Sequence, residues 1–502
     1  MSNSSHTTAA LKIENLKIHA GSKLLLELDH FTCFKGSIHA VIGESGSGKS
    51  LLLKSLMGLL KSNLSVSGKA ILPESSWCRD LLDVKSTSWN AFRGKYLGMV
   101  FQEPMSALNP QMTCGEQLQE SWDIHCSPNN KGSKSEIYNK LDAIGLGSIA
   151  DRVYRSYPHE LSGGQRQRVM IAMATLHNPE FILADEPTTA LDYFSRKQVI
   201  RDFTHLAKSL GSTVIWVSHE LDLVNEFAEY ITVLRKGKFV QYGSTQQVLN
   251  QKPEPYVKEL LDAVPQTKHE KRPLSQVKIS IQELNKIYGQ KGNSIHALQD
   301  FSVELSAGQT LAVIGTSGSG KSTLAKLLVG LERPESGKIT INGKDIPQKT
   351  PTGVQMVFQD PYSSLNRRHT SMESILEILK LTGQGDNELH RRELAERLLY
   401  DVGFDESLIH KKPDQMSGGQ RQRLCIAKAL STRPEILILD EAVAALDPLI
   451  QKQILDLLVD LQKQKGLIYI FITHNLDVAK YMADVWCYLE NGKTMPVPSL
   501  LD

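Results

Sequence analysis

Two stretches, GESGSGKS at residues 43–50 and GTSGSGKS at residues 315–322, contain the residue types that bind phosphate groups. In the pattern GxxxxGK[ST] the glycines allow positive φ and bring backbone N–H groups close to phosphate oxygens, the lysine adds a positive charge, and the hydroxyl is a magnesium ligand. A glycine-rich surface turn is the alternative. Each copy follows an apolar strand-like run and precedes a helix-like run, which favours phosphate binding. The predicted binding residues are Gly43, Glu44, Ser45, Gly46, Ser47, Gly48, Lys49 and Ser50 in the first copy and Gly315, Thr316, Ser317, Gly318, Ser319, Gly320, Lys321, Ser322 and Thr323 in the second, with Ser50 and Ser322 also as metal ligands.

Two pairs of adjacent acids supply chemistry that phosphate binding alone lacks. Asp185 ends the apolar run FILAD, and Asp440 ends the run ILILD. A carboxylate that leaves a buried strand beside a phosphate loop can hold Mg²⁺, directly or through water. The next residue, Glu186 or Glu441, is placed to polarise an attacking water as general base. An acid pair at a helix start is the alternative, but the same pair follows a phosphate loop twice.

The two halves of the chain repeat each other. LSGGQRQRVMIA at residues 161–172 recurs as MSGGQRQRLCIA at residues 416–427, and the acid pairs recur at the same spacing of 255 positions (185 to 440). The two lysines of the phosphate loops are 272 positions apart (49 to 321). The length difference therefore lies earlier in each half, chiefly in residues 63–93, where we expect looser structure specific to the first half.

The chain length and the pattern of apolar runs predict two domains. A chain of 502 residues is too long for one ordinary core, and its 41% hydrophobic content allows large cores. Residues 250–273 are rich in Pro and Lys and are typical of a short helix and a linker. We predict a first domain at residues 1–250, a tail helix and linker at 251–276, and a second domain at 277–502. Strand-like runs alternate with amphipathic helical stretches in each half, which indicates an α/β fold with a largely parallel sheet.

Composition excludes several function classes. The formal net charge of +2 gives no overall electrostatic footprint for nucleic acid or membrane lipid. The six cysteines form no CxxC pair, so neither a disulfide framework nor a zinc site is indicated, and a reducing cytosol fits best. The N-terminus lacks the features of a signal peptide, and no apolar run approaches the ~20 residues that span a bilayer. A role at a membrane would require other chains to supply the spans.

Together these motifs resemble two ATP-binding cassette (ABC) ATPase domains fused in tandem, over nearly the whole chain. LSGGQ is the signature of that superfamily, and the phosphate loop, the acid pair and a downstream histidine accompany it here in both halves. The resemblance implies two P-loop NTPase domains, each with a RecA-like α/β core, an antiparallel β subdomain and a helical signature subdomain. It also implies ATP and Mg²⁺ as cofactors and ATP hydrolysis as the activity.

Four polar residues acquire roles from this resemblance. Gln102 and Gln359 match the family's Q-loop glutamine, which senses Mg²⁺ and the attacking water, so they join the predicted catalytic and metal-contacting residues. His219 and His474 match the switch histidine at the γ-phosphate. A lone histidine after a strand is more often a packed core residue, and only the resemblance favours catalysis for these two.

The signature motifs imply a reason for the duplication. In this family the serine and glycine N–H groups of SGGQ bind the γ-phosphate of ATP held by the opposite domain, so two domains close head to tail over two nucleotides. We therefore expect each site to combine the phosphate loop of one half with the signature of the other. The residues concerned are Ser417, Gly418, Gly419 and Gln420 for the site of the first loop, and Ser162, Gly163, Gly164 and Gln165 for the site of the second.

The chain departs from the family pattern at the adenine-stacking position and beside the acid pair. Tyr288 stands where the family's aromatic residue stacks on adenine, but the first half offers only His19 beside Ala20. The acid pair is followed by Pro187 in the first half and by Ala442 in the second, a change that removes a rigid φ but no chemical group.

Longer matches resemble the ATPase subunits of the oligopeptide, dipeptide and nickel importer family. They are FQEPMSALNP, FQDPYSSLN, YPHELSGGQRQRVMIA and PEPYVKELLDAVP. The resemblance implies bacterial uptake at the cytoplasmic face of the cell membrane, with two permease subunits and a periplasmic or extracellular solute-binding protein as partners, and without nucleic acid or direct membrane insertion. Residues 105–113 and 362–370 would lie in the grooves that receive the permeases.

The substrate is not encoded in an ATPase subunit, so alternatives stay open. Small peptides are the expected cargo. DEAVAALD also resembles the second ATPase of nickel importers, which keeps nickel or a metal chelate as the alternative. A soluble twin-cassette ATPase that acts on ribosomes or DNA is less favoured, because the linker is short and the cysteines are isolated.

Overall fold

The computed structural model describes most of the chain and divides it into two compact units, Met1–Asp262 and Ala263–Asp502. The division lies within the predicted tail and linker segment; the three-part domain boundaries stay a prediction. The described residues are 8–73, 80–83, 86–126, 134–188, 191–265, 276–289, 294–316, 318–345, 353–444 and 446–496.

The first unit is a nine-stranded sheet with helices. The strands have the order β4-β1-β2-β9-β8-β3-β7-β6-β5. Strands β5, β6, β7, β3 and β8 run parallel to one another, whereas β8 pairs antiparallel with β9, and β1 pairs antiparallel with both β2 and β4. The elements are β1 (Ala9–Ala20), β2 (Lys23–Phe34), β3 (Ile38–Gly43), α1 (Lys49–Leu56), β4 (Leu64–Ile71), α2 (Ser86–Phe92), β5 (Leu97–Val100), α3 (Pro104–Ala107), α4 (Cys114–Asp123), α5 (Lys134–Ala143), α6 (Ala150–Arg155), α7 (Gly163–Thr175), β6 (Phe181–Asp185), α8 (Tyr193–Leu210), β7 (Thr213–Ser218), α9 (Leu221–Phe227), β8 (Tyr230–Arg235), β9 (Lys238–Ser244) and α10 (Pro255–Asp262).

The second unit repeats this plan with a ten-stranded sheet. Its strand order is β14-β13-β10-β11-β19-β18-β12-β17-β16-β15, with the same parallel centre and antiparallel edge. The elements are β10 (Val277–Tyr288), β11 (Ile295–Ser306), β12 (Thr310–Gly315), α11 (Lys321–Leu328), β13 (Ser336–Ile341), β14 (Lys344–Asp345), β15 (Val354–Val357), α12 (Ser371–Leu381), α13 (Glu388–Asp401), α14 (Glu406–Ile409), α15 (Gly418–Leu430), β16 (Ile436–Asp440), α16 (Pro448–Lys465), β17 (Ile468–Ile472), α17 (Leu476–Met482), β18 (Val485–Glu490) and β19 (Lys493–Met495).

The burial of the strands explains the sheet. Strands β3, β7 and β12 are buried along their whole length, as expected for central parallel strands covered on both faces. Strands β1 and β10 instead alternate between buried and exposed residues, and each has a positive φ at its centre, at Asn15 and Glu283. Apolar side chains pack on both faces of the first sheet, in two clusters around Trp216 and Leu52. The predicted α/β core, antiparallel β subdomain and helical subdomain are confirmed in both units.

The helical subdomains have well-defined starts. Thr113 caps α4 and Thr370 caps α12, each in a capping box with the glutamate three residues later. In the segment expected to differ between the halves, β4 and α2 are formed, while residues 74–79 and 84–85 lie outside the described residues. Within the described ranges, no helix combines the length and the apolar character needed to cross a membrane.

Candidate nucleotide site

The first phosphate loop joins the end of β3 to the start of α1, and its geometry requires glycine at two positions. Gly43 has φ 155°, and a Cβ there would meet the carbonyl oxygen of Leu234 at 2.2 Å. Gly48 has φ 100° and caps α1, and a Cβ there would approach Leu26 Cδ1 at 2.9 Å. A side chain at either position would therefore displace the loop from the helix start.

The second loop, between β12 and α11, has the same restrictions. Gly315 has φ 154° and a Cβ would lie 2.2 Å from the carbonyl oxygen of Leu489. Gly320 has φ 107° and a Cβ would lie 2.1 Å from the carbonyl oxygen of Ala297. The predicted loop residue Ser317 lies outside the described residues.

The loop lysines are held by backbone carbonyls. Lys49 Nζ donates to the carbonyl oxygens of Gly43 at 2.7 Å and Glu44 at 2.9 Å. Lys321 Nζ donates to the first two residues of its own loop at 2.9 and 2.7 Å. Each ammonium thus lies over a loop that leads into a helix N-terminus, and both features attract phosphate.

The predicted metal residues provide oxygen ligands. Ser50 Oγ donates to Asp185 Oδ1 at 2.9 Å, which places the two oxygens of the first site side by side. Burial raises the pKa of Asp185, whereas the hydrogen bond from Ser50 opposes that rise. Burial, then the negative charge of Glu441, raise the pKa of Asp440 to about 6, and Ser322 is exposed at the start of α11.

This donor set fits Mg²⁺. Mg²⁺ prefers oxygen ligands and is usually held by one or two protein oxygens together with substrate phosphates and water. In the part of the chain that the structure describes, no three His, Cys, Asp or Glu side chains form a metal-binding group. A single carboxylate with a hydroxyl is therefore suited to a metal that arrives with the nucleotide.

Glu186 lies at the centre of a cluster in the first unit. Gln102 Nε2 donates to Glu186 Oε2 at 3.1 Å, and His219 Nδ1 lies 3.3 Å from the same oxygen. Lys49 Nζ lies 4.0 Å from Glu186 Oε1. Burial lowers the pKa of His219, but the hydrogen bond and the charge of Glu186 outweigh burial and raise that pKa. The structure thus brings the four predicted residues together.

The second unit contains the same cluster around Glu441. Gln359 Nε2 donates to Glu441 Oε2 at 2.7 Å, and His474 Nδ1 lies 3.3 Å from Oε1. Burial raises the pKa of Glu441, but the hydrogen bond and charge of His474, with the charge of Lys321, outweigh burial and lower it. The carboxylate is therefore held in its basic form.

Both glutamates have a backbone conformation that is uncommon for this residue type. The φ angles of Glu186 and Glu441 are 44° and 49°. Their N–H groups donate to the carbonyl oxygens of Val217 at 3.1 Å and Ile472 at 2.9 Å, in the neighbouring strand. Positive φ outside glycine is costly and concentrates at functional sites, so its occurrence at the same place in both units indicates a constraint on where the carboxylate is directed.

The signature serines stand at exposed helix starts. Ser162 and Ser417 cap α7 and α15, and each hydroxyl accepts from the N–H of the glutamine three residues later at 3.3 Å. The glutamine side chain accepts from the serine N–H in return, at 3.0 Å in the first unit and 2.9 Å in the second. These capping boxes order the helix starts, and the N–H groups of the glycines belong to the first turn, where anions bind. The remaining predicted residues of these motifs are Gly163, Gly164, Gln165, Gly418, Gly419 and Gln420.

An aromatic residue occupies the position predicted to stack on adenine in the second unit but not in the first. Tyr288 ends β10, is half-buried, and pairs with Ile295 across the hairpin. Ala20 has the matching position at the end of β1, one residue after His19.

Sequence reasoning missed Lys286, whose Nζ lies 5.1 Å from the centre of the Tyr288 ring.

Lys286 is a buried cation that the sequence pattern does not reveal. Its Nζ donates to the carbonyl oxygen of Arg333 at 2.8 Å and lies 3.3 Å from Glu335 and 3.4 Å from Glu332. These partners are 46 to 49 positions away in the chain (286 to 332 and 286 to 335), so nothing local to NKIYG signals them. A cation near an aromatic ring is attracted to the π electrons of the ring. Lys286 therefore helps to hold the Tyr288 ring in place.

The fold and these clusters define a pair of nucleotide-binding cassettes of the P-loop type. The family model for the ABC transporter matches residues 26–189 and 298–444. The chain therefore belongs to the ABC transporter family, as two ATP-binding cassettes in one polypeptide, and it hydrolyses ATP.

Curated relatives share nearly the whole chain. The glutathione import ATP-binding protein of Salmonella typhimurium is 34% identical over 490 residues, covering 89% of this chain and 78% of the relative. The protein with the same name from Escherichia coli O1:K1 is 36% identical over 499 residues, covering 90% and 79%. A solved structure described as RNase-L inhibitor has a TM-score of 0.63 at 21% identity, covering 96% of this chain and 89% of that one. At that identity the structural likeness shows the fold alone.

Proposed function

We propose that this chain is the ATP-hydrolysing, energy-coupling subunit of a bacterial importer of small peptides. The observation that carries the proposal is its likeness to glutathione import ATP-binding proteins over about 90% of its length. Glutathione is itself a tripeptide. The chain would act at the cytoplasmic face of the cell membrane, with two permease subunits and a periplasmic or extracellular binding protein.

Binding measurements on the cognate solute-binding protein test the substrate class. Peptides of two to five residues should bind it more tightly than Ni²⁺ or Ni²⁺ chelates. Preferred binding of nickel would establish the alternative, which the sequence DEAVAALD favours. A ribosome- or DNA-acting ATPase has no comparable support, since the likeness to RNase-L inhibitor extends to the fold alone.

The clusters support a division of labour in ATP hydrolysis. Lys49 and the loop N–H groups would bind the phosphates, and Ser50 with Asp185 would hold Mg²⁺, which neutralises phosphate charge when bound. Glu186 would accept a proton from the attacking water. Gln102 and His219 would hold the Glu186 carboxylate and the γ-phosphate in position relative to each other. The matching residues of the second unit would do the same, with Tyr288 as the platform for adenine.

Each unit contains a groove beside its Q-loop that can receive a permease helix. The first groove has a volume of about 670 Å³ and is mostly apolar. The second groove has a volume of about 420 Å³. At matching positions Met170 and Met173 of the first groove are replaced by Cys425 and Lys428 of the second. We infer that the two grooves receive cytoplasmic helices of different surface chemistry, as two distinct permease subunits would provide.

The choice of residue for testing the first groove depends on burial. Leu108 and Leu365, in the segments predicted to dock permeases, are 3% and 5% exposed. A charge at either position would be buried and would damage the fold itself. Ile124 lines the first groove and is 66% exposed, so a charge there disturbs docking without entering the core.

Ile124→Asp is expected to lower transport by about tenfold or more, the range for losing a central interface residue. Basal ATP hydrolysis should stay within about twofold of wild type, because Ile124 lies in the groove at the end of α4 and is not part of the phosphate loop or the acid pair. Transport and hydrolysis are measured with the reconstituted complex. Leu389→Asp is the matched control, since Leu389 is 69% exposed outside both grooves. Normal transport by Ile124→Asp would place the docking surface elsewhere.

A further inference from the structure

The first phosphate loop is linked to the tail helix α10 by a cluster of four side chains, here called the tail bridge: Glu44, Arg235, Tyr256 and Glu259. Arg235 stands at the end of β8, and its guanidinium carbon lies 4.2 Å from the centre of the Tyr256 ring. Arg235 Nη2 lies 3.5 Å from Glu259 Oε2, and its Nε lies 3.9 Å from Glu44 Oε1. The arginine thus connects a carboxylate of the loop to a carboxylate of the tail helix.

Two buried polar atoms of the tail bridge lack hydrogen bonds. Within the described ranges, the hydroxyl of Tyr256 and Nε of Arg235 make no hydrogen bond of ordinary length and angle, and Tyr256 is 3% exposed. Buried polar atoms without partners are rare and costly. Arg235 Nε lies 3.9 Å from Glu44 Oε1, and the Tyr256 ring packs against the same guanidinium group. Burial first, and then the negative charge of Glu44, raise the pKa of Tyr256, which agrees with a carboxylate near its hydroxyl. A short movement of the Glu44 side chain would satisfy both atoms.

Glu44 is placed to move with the nucleotide. It is the second residue of the phosphate loop, and its carbonyl oxygen already accepts a hydrogen bond from Lys49 Nζ at 2.9 Å. A phosphate bound at the loop would take the Lys49 ammonium from these carbonyl oxygens, so we expect nucleotide binding to shift Glu44 together with its backbone. The tail bridge is therefore in direct contact with a part of the site that responds to ATP.

The second unit has no counterpart of these charges at the matching positions. Leu234 pairs with Gly43 and Leu489 pairs with Gly315, so Arg235 and Glu490 are structurally equivalent. Glu44 is replaced by Thr316 in the second loop. A glutamate at position 490 cannot attract a carboxylate, and threonine supplies none. The tail bridge distinguishes the first loop from the second.

We propose that Tyr256 and Arg235 are positioning residues for the first phosphate loop, and that nucleotide binding draws the carboxylate of Glu44 into hydrogen bonds with both. Helix α10 then stabilises the nucleotide-bound form of the first loop and has no such effect on the second. By thermodynamic reciprocity, ATP at the first loop also stabilises the docking of α10. The two ATP sites of the chain accordingly differ in affinity for a structural reason outside the catalytic motifs.

The test uses the full chain with one phosphate loop disabled at a time. In the Lys321→Ala background, Tyr256→Phe is expected to weaken ATP binding at the first loop about fivefold, a typical coupling between contacting residues. In the Lys49→Ala background, the same variant should change binding at the second loop by less than about twofold. Phenylalanine keeps the ring on Arg235 and removes only the hydroxyl. Dissociation constants for ATP with Mg²⁺ are measured by calorimetry.

A double-mutant cycle and hydrogen exchange separate positioning from a merely structural role. In a Glu44→Gln chain the effect of Tyr256→Phe should shrink, because the charged partner is gone. ATP should slow amide exchange in residues 255–262 of the Lys321→Ala chain, and Tyr256→Phe should remove that protection. Glu490→Gln is the matched control in the second unit and should change neither affinity.

Three results would overturn the proposal. The first is an unchanged affinity of the first loop in Tyr256→Phe, and the second is an equal loss at both loops, which would indicate general destabilisation. The third is an effect of Tyr256→Phe that persists undiminished in the Glu44→Gln chain. None of these measurements needs a permease, so their outcome is independent of the proposed role in peptide import.

Discussion

Replacement of Glu186 and Glu441 together by glutamine is expected to leave ATP binding intact and to lower ATP turnover by a factor of about 10² or more. Each carboxylate accepts a hydrogen bond from a glutamine amide, at 3.1 and 2.7 Å, and lies 3.3 Å from a histidine nitrogen. Glutamine preserves the shape of this cluster but cannot accept a proton from water. The loss should therefore fall on turnover, while the phosphate loops continue to bind ATP.

The measurement combines steady-state hydrolysis with the affinity for ATP. Glu226→Gln with Glu388→Gln is the matched control, because these glutamates are 52% and 70% exposed in surface ion pairs and contribute little. The control should retain near wild-type turnover. If the Glu186 and Glu441 variant also hydrolyses ATP at the wild-type rate, another group is the general base. If it no longer binds ATP, the glutamates are structural supports for the loops.

The fold could be predicted from the sequence because short stretches of residues specify its central strands and loops. Runs such as FILAD and ILILD are apolar up to their final aspartate, a pattern typical of strands covered on both faces, which is how β6 and β16 are placed. The phosphate loops can also be recognised from the sequence. Glycine is required at Gly43, for example, because a Cβ there would collide with the backbone. The positive φ of Glu186 has no such signal in the local sequence. This conformation depends on the hydrogen bond from the Glu186 N–H to the carbonyl oxygen of Val217, which is 31 positions away (186 to 217).

Contacts between distant positions account for what the sequence could not reveal. The tail bridge joins Glu44, Arg235 and Tyr256, and each of these alone is an ordinary surface residue type in a loop, a strand end or a helix. The prediction for Leu108 has the same limit. The sequence segment that contains Leu108 indicates docking, but the burial of its side chain depends on packing against α4 and α7. Motif spacing identifies the chemistry, and the packing around it determines which residues can be altered safely.

Ser162→Arg is expected to damage the site whose lysine is Lys321 and to spare the phosphate loop that contains Lys49. We propose this because each half has one phosphate loop and one signature, and each signature serine is exposed at a helix start, where its hydroxyl is used only within its own capping box. Arginine would remove the cap and put bulk and positive charge where the γ-phosphate is expected to bind. If the sites are composite, this effect crosses the linker.

A double-mutant comparison decides between the two arrangements. Ser162→Arg is combined with Lys321→Ala and, separately, with Lys49→Ala, and ATP hydrolysis is measured for the assembled transporter. Two lesions in one site should be less than additive, since a disabled site loses little from a second lesion, whereas lesions in different sites should together reduce hydrolysis to about the level of an inactive chain. Ser417→Arg is the matched variant, with the roles of the two lysines exchanged. Non-additivity of Ser162→Arg with Lys49→Ala, and additivity with Lys321→Ala, would mean that each half closes its own site, and the two copies of the loop would then need another explanation.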